Sequence, residues 1–502
     1  MSRLLGLSRR ELVVLSAVFV LTLPAVTPRI YASDEIQYFS YLRSLWFDQD
    51  VSFENEYRYF YDRNIGRSEG FHATFLELRT DSGHRPNFGT IGSAILWAPF
   101  YAVGDAVARL TDADDDGFSR PYVAAVAYGS AFYGFAAVVL GVAAARMIAD
   151  QSTGRGSLRS DADHTTGRGS PRSDADHITG RGSSRSDDRG IGFEVVAAML
   201  VWFGTPLLFY MYVAPPYAHA CSAFAVALFI VVWLHVRRAW SVRGAVALGL
   251  CGALMAMVRE QDLFFALGAA VDLVLTAGAA LRSERQDRHG TSHYTGIAAA
   301  GCVAFVIGYA PQLLAYSSLN GYPGPSKLVV RKMIWHSPHA LQVLGSPGHG
   351  FLLWTPLAIL AIAGLVLLAW RGEGNQRRTG VILLLMLALQ VYVSGSVDSW
   401  SAAGAFGQRR FVAVTTLLTI GMGVFLRAVP TGMPRVAAAI VIGVCVWWNL
   451  ALIAAFGTGL MNRQRLELAR NAYDAFVTIP RMGPGLAARY LTSRDSFYDT
   501  KE

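Results

Sequence analysis

Long apolar runs separated by short polar segments dominate the chain. Eleven of these runs approach the length of about 20 apolar residues that a helix needs to cross a bilayer. They lie at residues 12–28, 121–149, 191–212, 217–236, 244–258, 262–281, 295–317, 351–370, 379–395, 411–427 and 436–456. The pattern therefore predicts an all-α polytopic membrane protein with about 11 transmembrane helices.

A further apolar run, residues 88–107, is long enough to span, but the distribution of arginines argues against it. If this run does not cross, the arginine-bearing loops all fall on one side of the membrane. Those loops carry Arg237, Arg238, Arg243, Arg282, Arg285, Arg288, Arg371, Arg377, Arg378, Arg427 and Arg435. Loops rich in arginine favour the cytoplasm. We therefore predict an interfacial or re-entrant helix at 88–107, inside a long first outer loop of residues 29–120, and a cytoplasmic N terminus.

Residues 150–190 have a different character from the rest of the chain. A unit beginning TGRGS recurs at Thr153, Thr166 and Thr179, and the segment is rich in arginine and aspartate with few apolar residues. Such a segment buries too little apolar surface to fold. We predict a disordered cytoplasmic insertion.

These patterns divide the chain into four parts. The predicted parts are the first spans and outer loop (1–149), the insertion (150–190), the remaining helices with outer loops 318–350 and 396–410 (191–456), and an extracytoplasmic tail (457–502).

Composition agrees with a membrane protein. Hydrophobic residues make up 53% of the 502 residues, and the mean hydropathy is +0.34. The net charge of +8 does not indicate nucleic-acid binding, because arginines of a membrane protein sort by loop. No Walker or dinucleotide motif is present, and the cysteines lie far apart within apolar runs. The pattern indicates no cofactor and no metal site, although it leaves a divalent metal open.

Two adjacent carboxylates, Asp34 and Glu35, follow the first apolar run directly. A carboxylate at the lipid boundary is costly to desolvate, and it often acts as a base, an ion ligand or a pathway residue. The alternative is that these are simply the first solvated residues after a helix. Position alone weights the two interpretations equally.

Basic residues recur in the predicted outer loops. Lys327, Arg331 and Lys332 lie near His349 in the loop 318–350, among aromatic and apolar residues, which suits a lipid phosphate. General attraction to anionic lipid explains the same residues.

Two further sets of arginines lie at predicted outer turns. Arg409 and Arg410 end a glycine-rich turn where an outer loop should carry few arginines, and Arg259 stands beside Glu260 and Asp262. For Arg259, an internal ion pair and a contact with a phosphate are both consistent with the sequence.

Several short motifs together resemble the GT-C superfamily of membrane glycosyltransferases, which includes protein mannosyltransferases and lipid A aminoarabinose transferases. The motifs are the Asp34–Glu35 pair after the first span, HRPNFGTIGSAILWAPFYAVG from His84, MVREQD, and GAFGQRRFV. The resemblance implies that Asp34 is the catalytic base with Glu35 beside it. It places Arg85 where the family has a phosphate-binding lysine, and Asn87 replaces a family proline.

The resemblance also implies a reaction. Family members take a sugar from a polyprenyl phosphate on the outer face of the membrane, here that of a bacterial plasma membrane, and the acceptor is a glycan, a lipid or a protein. The expected substrate-binding residues are Arg85, Arg259, Lys327, Arg331, Lys332, His349, Arg409 and Arg410. A base and cations that stabilise a departing phosphate are what an inverting glycosyl transfer needs. A secondary transporter and a noncatalytic lipid-handling protein remain as alternatives.

Overall fold

A computed structural model describes residues 6–163, 191–283, 288–402, 404–493 and 496. Within these residues every regular element is helical, apart from one isolated antiparallel bridge between Met333 and Val397. The α-helices are α1 Arg9–Thr22, α2 Ser33–Arg43, α3 Glu54–Asp62, α4 Glu69–Phe71, α5 Gly92–Leu110, α6 Arg120–Asp163, α7 Phe193–Gly204, α8 Leu207–Tyr212, α9 His219–Val236, α10 Val242–Val258, α11 Ala266–Ser283, α12 Arg288–Asn320, α13 Lys327–Arg331, α14 Ala340–Gly345, α15 Phe351–Trp354, α16 Leu357–Arg371, α17 Asn375–Gly395, α18 Thr415–Ala428, α19 Met433–Gly457, α20 Leu468–Tyr473 and α21 Ile479–Thr492.

Short turns of other helical types flank several of these helices. The 3₁₀ turns are Leu23–Ala25, Glu260–Phe265 and Arg409–Val414, and the π turns are Ser44–Asp48, His72–Glu77 and Asp474–Thr478. Helix α6 continues to Asp163, and residues 164–190, which hold most of the repeated insertion, lie outside the described residues. The prediction of disorder there is therefore untested.

Seven helical stretches among the described residues are long and apolar enough to cross a membrane. They are Arg120–Asp150, His219–Val236, Glu260–Arg282, Ser292–Asn320, Asn375–Gly395, Arg409–Ala428 and Met433–Gly457. Three shorter apolar helices, α7, α10 and α16, and the 14-residue α1 correspond to the other four predicted spans. The prediction of a multi-pass helical membrane protein is confirmed, and the count of eleven stays a prediction.

Two predicted spans are interrupted, which corrects their boundaries. The run 191–212 is divided between α7 and α8, and the run 351–370 between α15 and α16. Each break falls at a Thr–Pro pair, where Thr205 and Thr355 leave the helical conformation. Proline disfavours a helical conformation in the residue before it, so an apolar run with an internal Thr–Pro pair does not form one continuous helix.

The break after α7 is stabilised by a buried side chain from α19. The amide of Asn449, which is fully buried, donates hydrogen bonds to the carbonyl oxygens of Phe203 at 2.8 Å and Thr205 at 3.0 Å. Backbone groups at membrane depth must find partners within the protein, because lipid offers none. Asn449 therefore allows a non-helical segment to lie inside the bundle.

The segment expected to lie at the interface forms helix α5, which begins at Gly92 and contains Pro99. It packs against α6 and α2, and it is not among the seven stretches long and apolar enough to span. Its position relative to the bilayer stays a prediction.

The loops 318–350 and 396–410 lie against each other. The amide of Ile334 donates to Ser396 O at 2.6 Å, and the amide of Asp398 donates to Lys332 O at 2.8 Å. The C-terminal segment joins the same region, because the amide of Leu466 donates to Pro347 O at 2.9 Å. The loops 318–350 and 396–410 and the beginning of the tail therefore lie at one end of the bundle, and the side of the membrane on which they lie stays a prediction.

Helices α16 and α18 approach each other through glycines. A Cβ atom added to Gly364 would overlap the carbonyl oxygen of Gly421, and one added to Gly421 would overlap the carbonyl oxygen of Ala361. Small residues permit such close contact between membrane helices. Because the Arg409–Val414 turn leads directly into α18, this contact restrains the position of the turn relative to α16.

We expect Gly421→Ala to lower the thermal stability of the detergent-solubilised protein. Its methyl group meets backbone rather than a flexible side chain, and overpacking of this kind costs about 1–3 kcal/mol. Gly443→Ala in α19 is the matched control, since an added Cβ there meets nothing within 4 Å. A melting temperature for Gly421→Ala equal to that of Gly443→Ala would contradict the close contact.

Candidate functional site

A cleft of about 220 Å³ opens where the first outer loop faces the loop 318–350. Helix α2, the segment before α5, and helix α13 with the residue after it form its walls. The lining residues are Asp34, Gln37, Tyr38, Phe88, Gly89, Leu328, Val329 and Lys332. Two of the predicted site residues, Asp34 and Lys332, therefore lie in one cleft.

Hydrogen bonds from Gln37 hold the first two walls together. Its side-chain oxygen accepts from the amide of Phe88 at 2.8 Å, and its carbonyl oxygen accepts from the side chain of Asn87 at 3.0 Å. Two residues later, the hydroxyl of Thr90 donates to the carbonyl oxygen of Val258 at 2.8 Å. Asn87 thus anchors this segment to α2, and Thr90 anchors it to the end of α10.

Asp34 forms an ion pair with Arg409. The distance from Asp34 Oδ2 to Arg409 Nη1 is 2.7 Å, with 37% of the Asp34 side chain and 21% of the Arg409 side chain exposed. The guanidinium of Arg409 also lies 5.5 Å from the ring centre of Tyr217. The carboxylate therefore faces both a fixed cation and the open cleft.

A second arginine belongs to the same charged group. Arg259, at the end of α10, has its Nη1 2.5 Å from Nδ1 of the buried His219. The rings of Tyr210 and Tyr217 pack against His219, with centre distances of 4.6 and 5.7 Å. Because the imidazole accepts this hydrogen bond, His219 positions the arginine without adding charge.

Three arginines and their opposing carboxylates gather around this group. The charges of Arg259, Arg409 and Arg410 all act on His219. The opposing carboxylates are Asp34, Asp398, whose charge acts on Arg410, and the buried Asp262, which accepts a hydrogen bond of 2.6 Å from Ser222 Oγ. Arginines grouped in this way match the geometry and charge of a phosphate.

Glu35, predicted beside Asp34 as a catalytic residue, points into the protein. Its side chain is fully buried, and its Oε2 accepts from the amides of Tyr31 at 2.8 Å and Ala32 at 3.0 Å, which caps the start of α2. Burial raises the pKa of Glu35 to about 8. Glu35 does not line the cleft, so its geometry suits a positioning role for Asp34 rather than contact with a substrate.

Arg410 has a different environment from its neighbour Arg409. Its Nη1 donates to the carbonyl oxygens of Ser399 at 3.1 Å and Trp400 at 3.2 Å. Only 8% of the residue is exposed. Arg410 holds the glycine-rich turn in place, and its predicted contact with substrate has no support from this geometry.

His349 also supports the glycine-rich turn. The residue is fully buried, stacks on Trp354, and lies with Nε2 2.9 Å from the carbonyl oxygen of Ala405, to which it donates. Burial lowers the pKa of His349 to about 4. A neutral, enclosed imidazole is suited to a structural role rather than to the predicted binding of a phosphate.

Arg85 and Lys327 lie apart from the cleft lining. Arg85, 6% exposed, pairs with Glu54 at 3.1 Å and donates to the carbonyl oxygen of Glu77 at 3.0 Å. Lys327 forms an exposed ion pair with Asp81 at 2.6 Å. Both connect parts of the first outer loop to their neighbours, and their predicted roles in substrate binding stay predictions.

The remaining basic residues are at the cleft mouth. Arg331 is exposed at the end of α13. Lys332, beside it, is also exposed and lines the cleft. Its Nζ lies 5.8 Å from the ring centre of Phe88. Of this loop's predicted binding residues, Lys332 is the one that lines the cleft with Asp34.

Sequence analysis overlooked Tyr38, Tyr217 and His219. For Tyr217 and His219 the sequence does contain a signal. The polar and aromatic segment PPYAHA, residues 215–220, lies at the junction of two apolar runs. An unpaired histidine at the boundary of an apolar run is a candidate site residue. Its arginine partner, distant in sequence, could not be identified from that signal.

The fold defines a multi-pass helical membrane protein in which the charged group around Asp34 and Arg409 lies at one end of the helices. Among the described residues, no group of three or more His, Cys, Asp or Glu residues could hold a metal ion. Comparison with protein-family models, with curated proteins and with solved structures gives no match. The GT-C resemblance therefore stays a prediction.

The raised pKa of Glu35 predicts a pH dependence of stability. Between an unfolded pKa near 4.5 and a folded pKa of about 8, the folded state keeps a proton that the unfolded state releases, so stability falls as pH rises through this window. Glu35→Gln has no such proton, and its melting temperature should fall less between pH 5 and pH 8.

Wild type and variant must be compared directly, because burial also raises the pKa of Glu56, to about 7, within the same window. Glu54→Gln is the contrasting variant, since hydrogen bonds from Arg85 and Arg58 lower the pKa of Glu54 to about 2. Identical pH profiles for wild type and Glu35→Gln would show that Glu35 is charged in the folded protein.

Proposed function

We propose that the protein is an inverting membrane glycosyltransferase. It transfers a sugar from a polyprenyl-phosphate-linked donor to a hydroxyl of a glycan, lipid or protein acceptor. In this proposal about eleven helices cross a bacterial plasma membrane, the N terminus is cytoplasmic, and the Asp34 cleft opens on the outer face. The proposal combines the sequence resemblance with the chemistry of the cleft.

The observation that carries the proposal is the pairing of Asp34 with Arg409 at the wall of an open cleft. Glycosyl transfer from a phosphate needs a base for the acceptor hydroxyl and a cation for the departing phosphate. Asp34 is the partly exposed carboxylate in the cleft lining, and Arg409 is the cation in direct contact with it. The two required groups are thus adjacent.

The reaction follows from these positions. Asp34 accepts the proton of the acceptor hydroxyl while the hydroxyl oxygen bonds to the anomeric carbon. The bond from that carbon to the phosphate oxygen breaks, and its electron pair leaves with the phosphate. Arg409, with Lys332 at the cleft mouth and Arg259 behind it, offsets the phosphate charge. A single displacement inverts the anomeric centre, with no second carboxylate as nucleophile.

The ion pair also suggests an order of events. Without donor, the charge of Asp34 is satisfied by Arg409. A donor phosphate competes for the same guanidinium, and by drawing it away it releases Asp34 to accept a proton. Binding of the donor therefore prepares the base, and a hydroxyl arriving earlier meets a carboxylate that is still paired.

The positions of the charges favour this proposal over a transporter. Transporters place their coupling and substrate sites near the bilayer midplane, at broken helices. Here Arg259 follows the last residue of α10, His219 is the first residue of α9, and Arg409 precedes α18. The breaks at Thr205 and Thr355 lie beside the glycine-rich turn, where Pro206 and Trp354 approach Gly407, but none of these three charged or titratable residues lies on the interrupted helices.

We expect Asp34→Asn to reduce transfer by about two to four orders of magnitude, the typical contribution of general base catalysis. The substitution keeps the size of the side chain and removes the proton acceptor. The measurement is product formation by purified protein with a defined polyprenyl phosphate sugar, chosen after comparing envelope glycans of cells with and without the gene. Donor binding should be retained, because Arg409 is released from its carboxylate partner.

Two variants make the result specific. Arg409→Gln should weaken donor use by roughly tenfold or more, since it removes a charge-assisted contact with phosphate. Lys327→Gln should leave transfer near the wild-type rate, because Lys327 pairs with Asp81 outside the cleft. Wild-type transfer by Asp34→Asn would refute the glycosyltransferase proposal, and equal losses in all three variants would point to general electrostatics.

A further inference from the structure

A second cavity, of about 230 Å³, lies between the ends of four helices. Helices α6, α7, α16 and α18 contribute most of its walls, and the start of α17 completes them. The lining residues are Ala145, Ile148, Ala149, Glu194, Leu367, Leu368, Arg371, Gly372, Gln376, Ile420, Gly423, Val424, Arg427 and Ala428. None of these residues belongs to the Asp34 cleft.

This cavity lies at the opposite end of the bundle from Arg409. The stretch Arg409–Ala428 is a single candidate span that begins at the Asp34 ion pair and ends at the cavity. Twenty residues of helix extend about 30 Å, which matches the hydrocarbon thickness of a bilayer. Trp370, 71% exposed beside the cavity, is the residue type enriched at the membrane–water boundary. The cavity therefore lies at the other membrane surface.

Glu194, the acidic residue that lines this cavity, already has arginine partners. Glu194 is buried, forms an ion pair with Arg427, and lies 3.9 Å from the guanidinium of Arg146. Arg146 in turn pairs with Glu11 of α1. The charge of Asp150, an exposed residue of α6, also acts on Arg427.

Arg371 is the cation that this network does not neutralise. It lines the cavity, and within the described residues its one recorded contact is with the ring of Trp370, 5.7 Å from the guanidinium carbon. With Arg427 on the facing helix, it gives the cavity an outer rim of two guanidinium groups. Such a rim suits an anionic oxygen group.

The inner walls are apolar. Ile148, Leu367, Leu368, Ile420 and Val424 line the cavity below the arginines, and Gln376 closes one side by donating to Ile148 O at 3.1 Å. A soluble phosphate gains nothing from such walls, whereas a lipid places its phosphate at the rim and its glycerol and upper acyl carbons against them. Basic pockets between membrane helices are suited to anionic headgroups.

We propose that this cavity is a binding site for an anionic phospholipid of the membrane leaflet opposite to the Asp34 cleft. The lipid phosphate contacts Arg371 and Arg427, and the apolar walls receive the beginning of an acyl chain. The bound lipid joins the ends of α6, α16 and α18. Because α18 also leads from the Arg409 turn, the lipid stabilises the helix that carries the outer charged group.

The test uses the purified full-length protein in an uncharged detergent. Phosphatidylglycerol and phosphatidylcholine with identical acyl chains are titrated separately, with the melting temperature and retained lipid measured, the latter by native mass spectrometry. Phosphatidylglycerol should raise the melting temperature at lower concentrations than phosphatidylcholine. Arg371→Gln should weaken this effect by about tenfold, the loss expected for one charge-assisted contact, and Arg371→Lys should weaken it less.

Arg377→Gln is the matched control, because Arg377 is an exposed arginine nearby that does not line the cavity. Equal losses of lipid binding in Arg371→Gln and Arg377→Gln would overturn the proposal in favour of general surface attraction. Unchanged binding in Arg371→Gln would also overturn it. A third arm uses inorganic phosphate alone: stabilisation through Arg371 as strong as that by phosphatidylglycerol would assign the site to a soluble anion instead.

Discussion

The ion pair between Asp34 and Arg409 is the contact on which the end of the bundle that carries the cleft depends. It connects the helix after the first apolar segment with the turn that begins α18, near the other end of the chain. A lone charge at a membrane boundary is costly, so each partner restricts where the other can lie. The Gln37 hydrogen bonds then hold the neighbouring wall of the cleft. The contact between Gly364 and Gly421 holds α18 against α16. The ion pair, the cleft wall and the helix packing are thus parts of one arrangement.

Sequence patterns predicted the helical membrane class because an apolar run of sufficient length has few other stable states. They also pointed to Asp34, Arg259 and Arg409 as charges at the edges of apolar runs and to Lys332 as a basic residue of the loop 318–350, and Asp34 and Lys332 do line one cleft. The predicted runs 191–212 and 351–370 were wrong in being continuous, because the helices break at Thr205 and Thr355. The apolar character of these runs was weighted above their internal prolines. The conformation of each threonine before proline is a local effect that the sequence does contain.

Other features of the site depend on contacts that the sequence does not display. Adjacent residues of a helix point about 100° apart, so Glu35 is buried while its neighbour Asp34 faces the cleft, and composition cannot separate the two. The same difficulty applies to Arg409 and Arg410, of which one pairs with a carboxylate and the other with backbone carbonyls. His219 acquires its role from Arg259, which only the packing of α9 against α10 brings near.

The central claim is that Arg409 exchanges the carboxylate of Asp34 for the phosphate of a polyprenyl-linked donor. A cryo-electron microscopy structure of the full-length protein with bound polyprenyl phosphate tests this most directly. We predict phosphate oxygens within hydrogen-bonding distance of the Arg409 guanidinium, with the 2.7 Å contact to Asp34 broken and the carboxylate open to the cleft. A phosphate bound at Arg85 or Lys327, with the Asp34–Arg409 pair intact, would contradict the account.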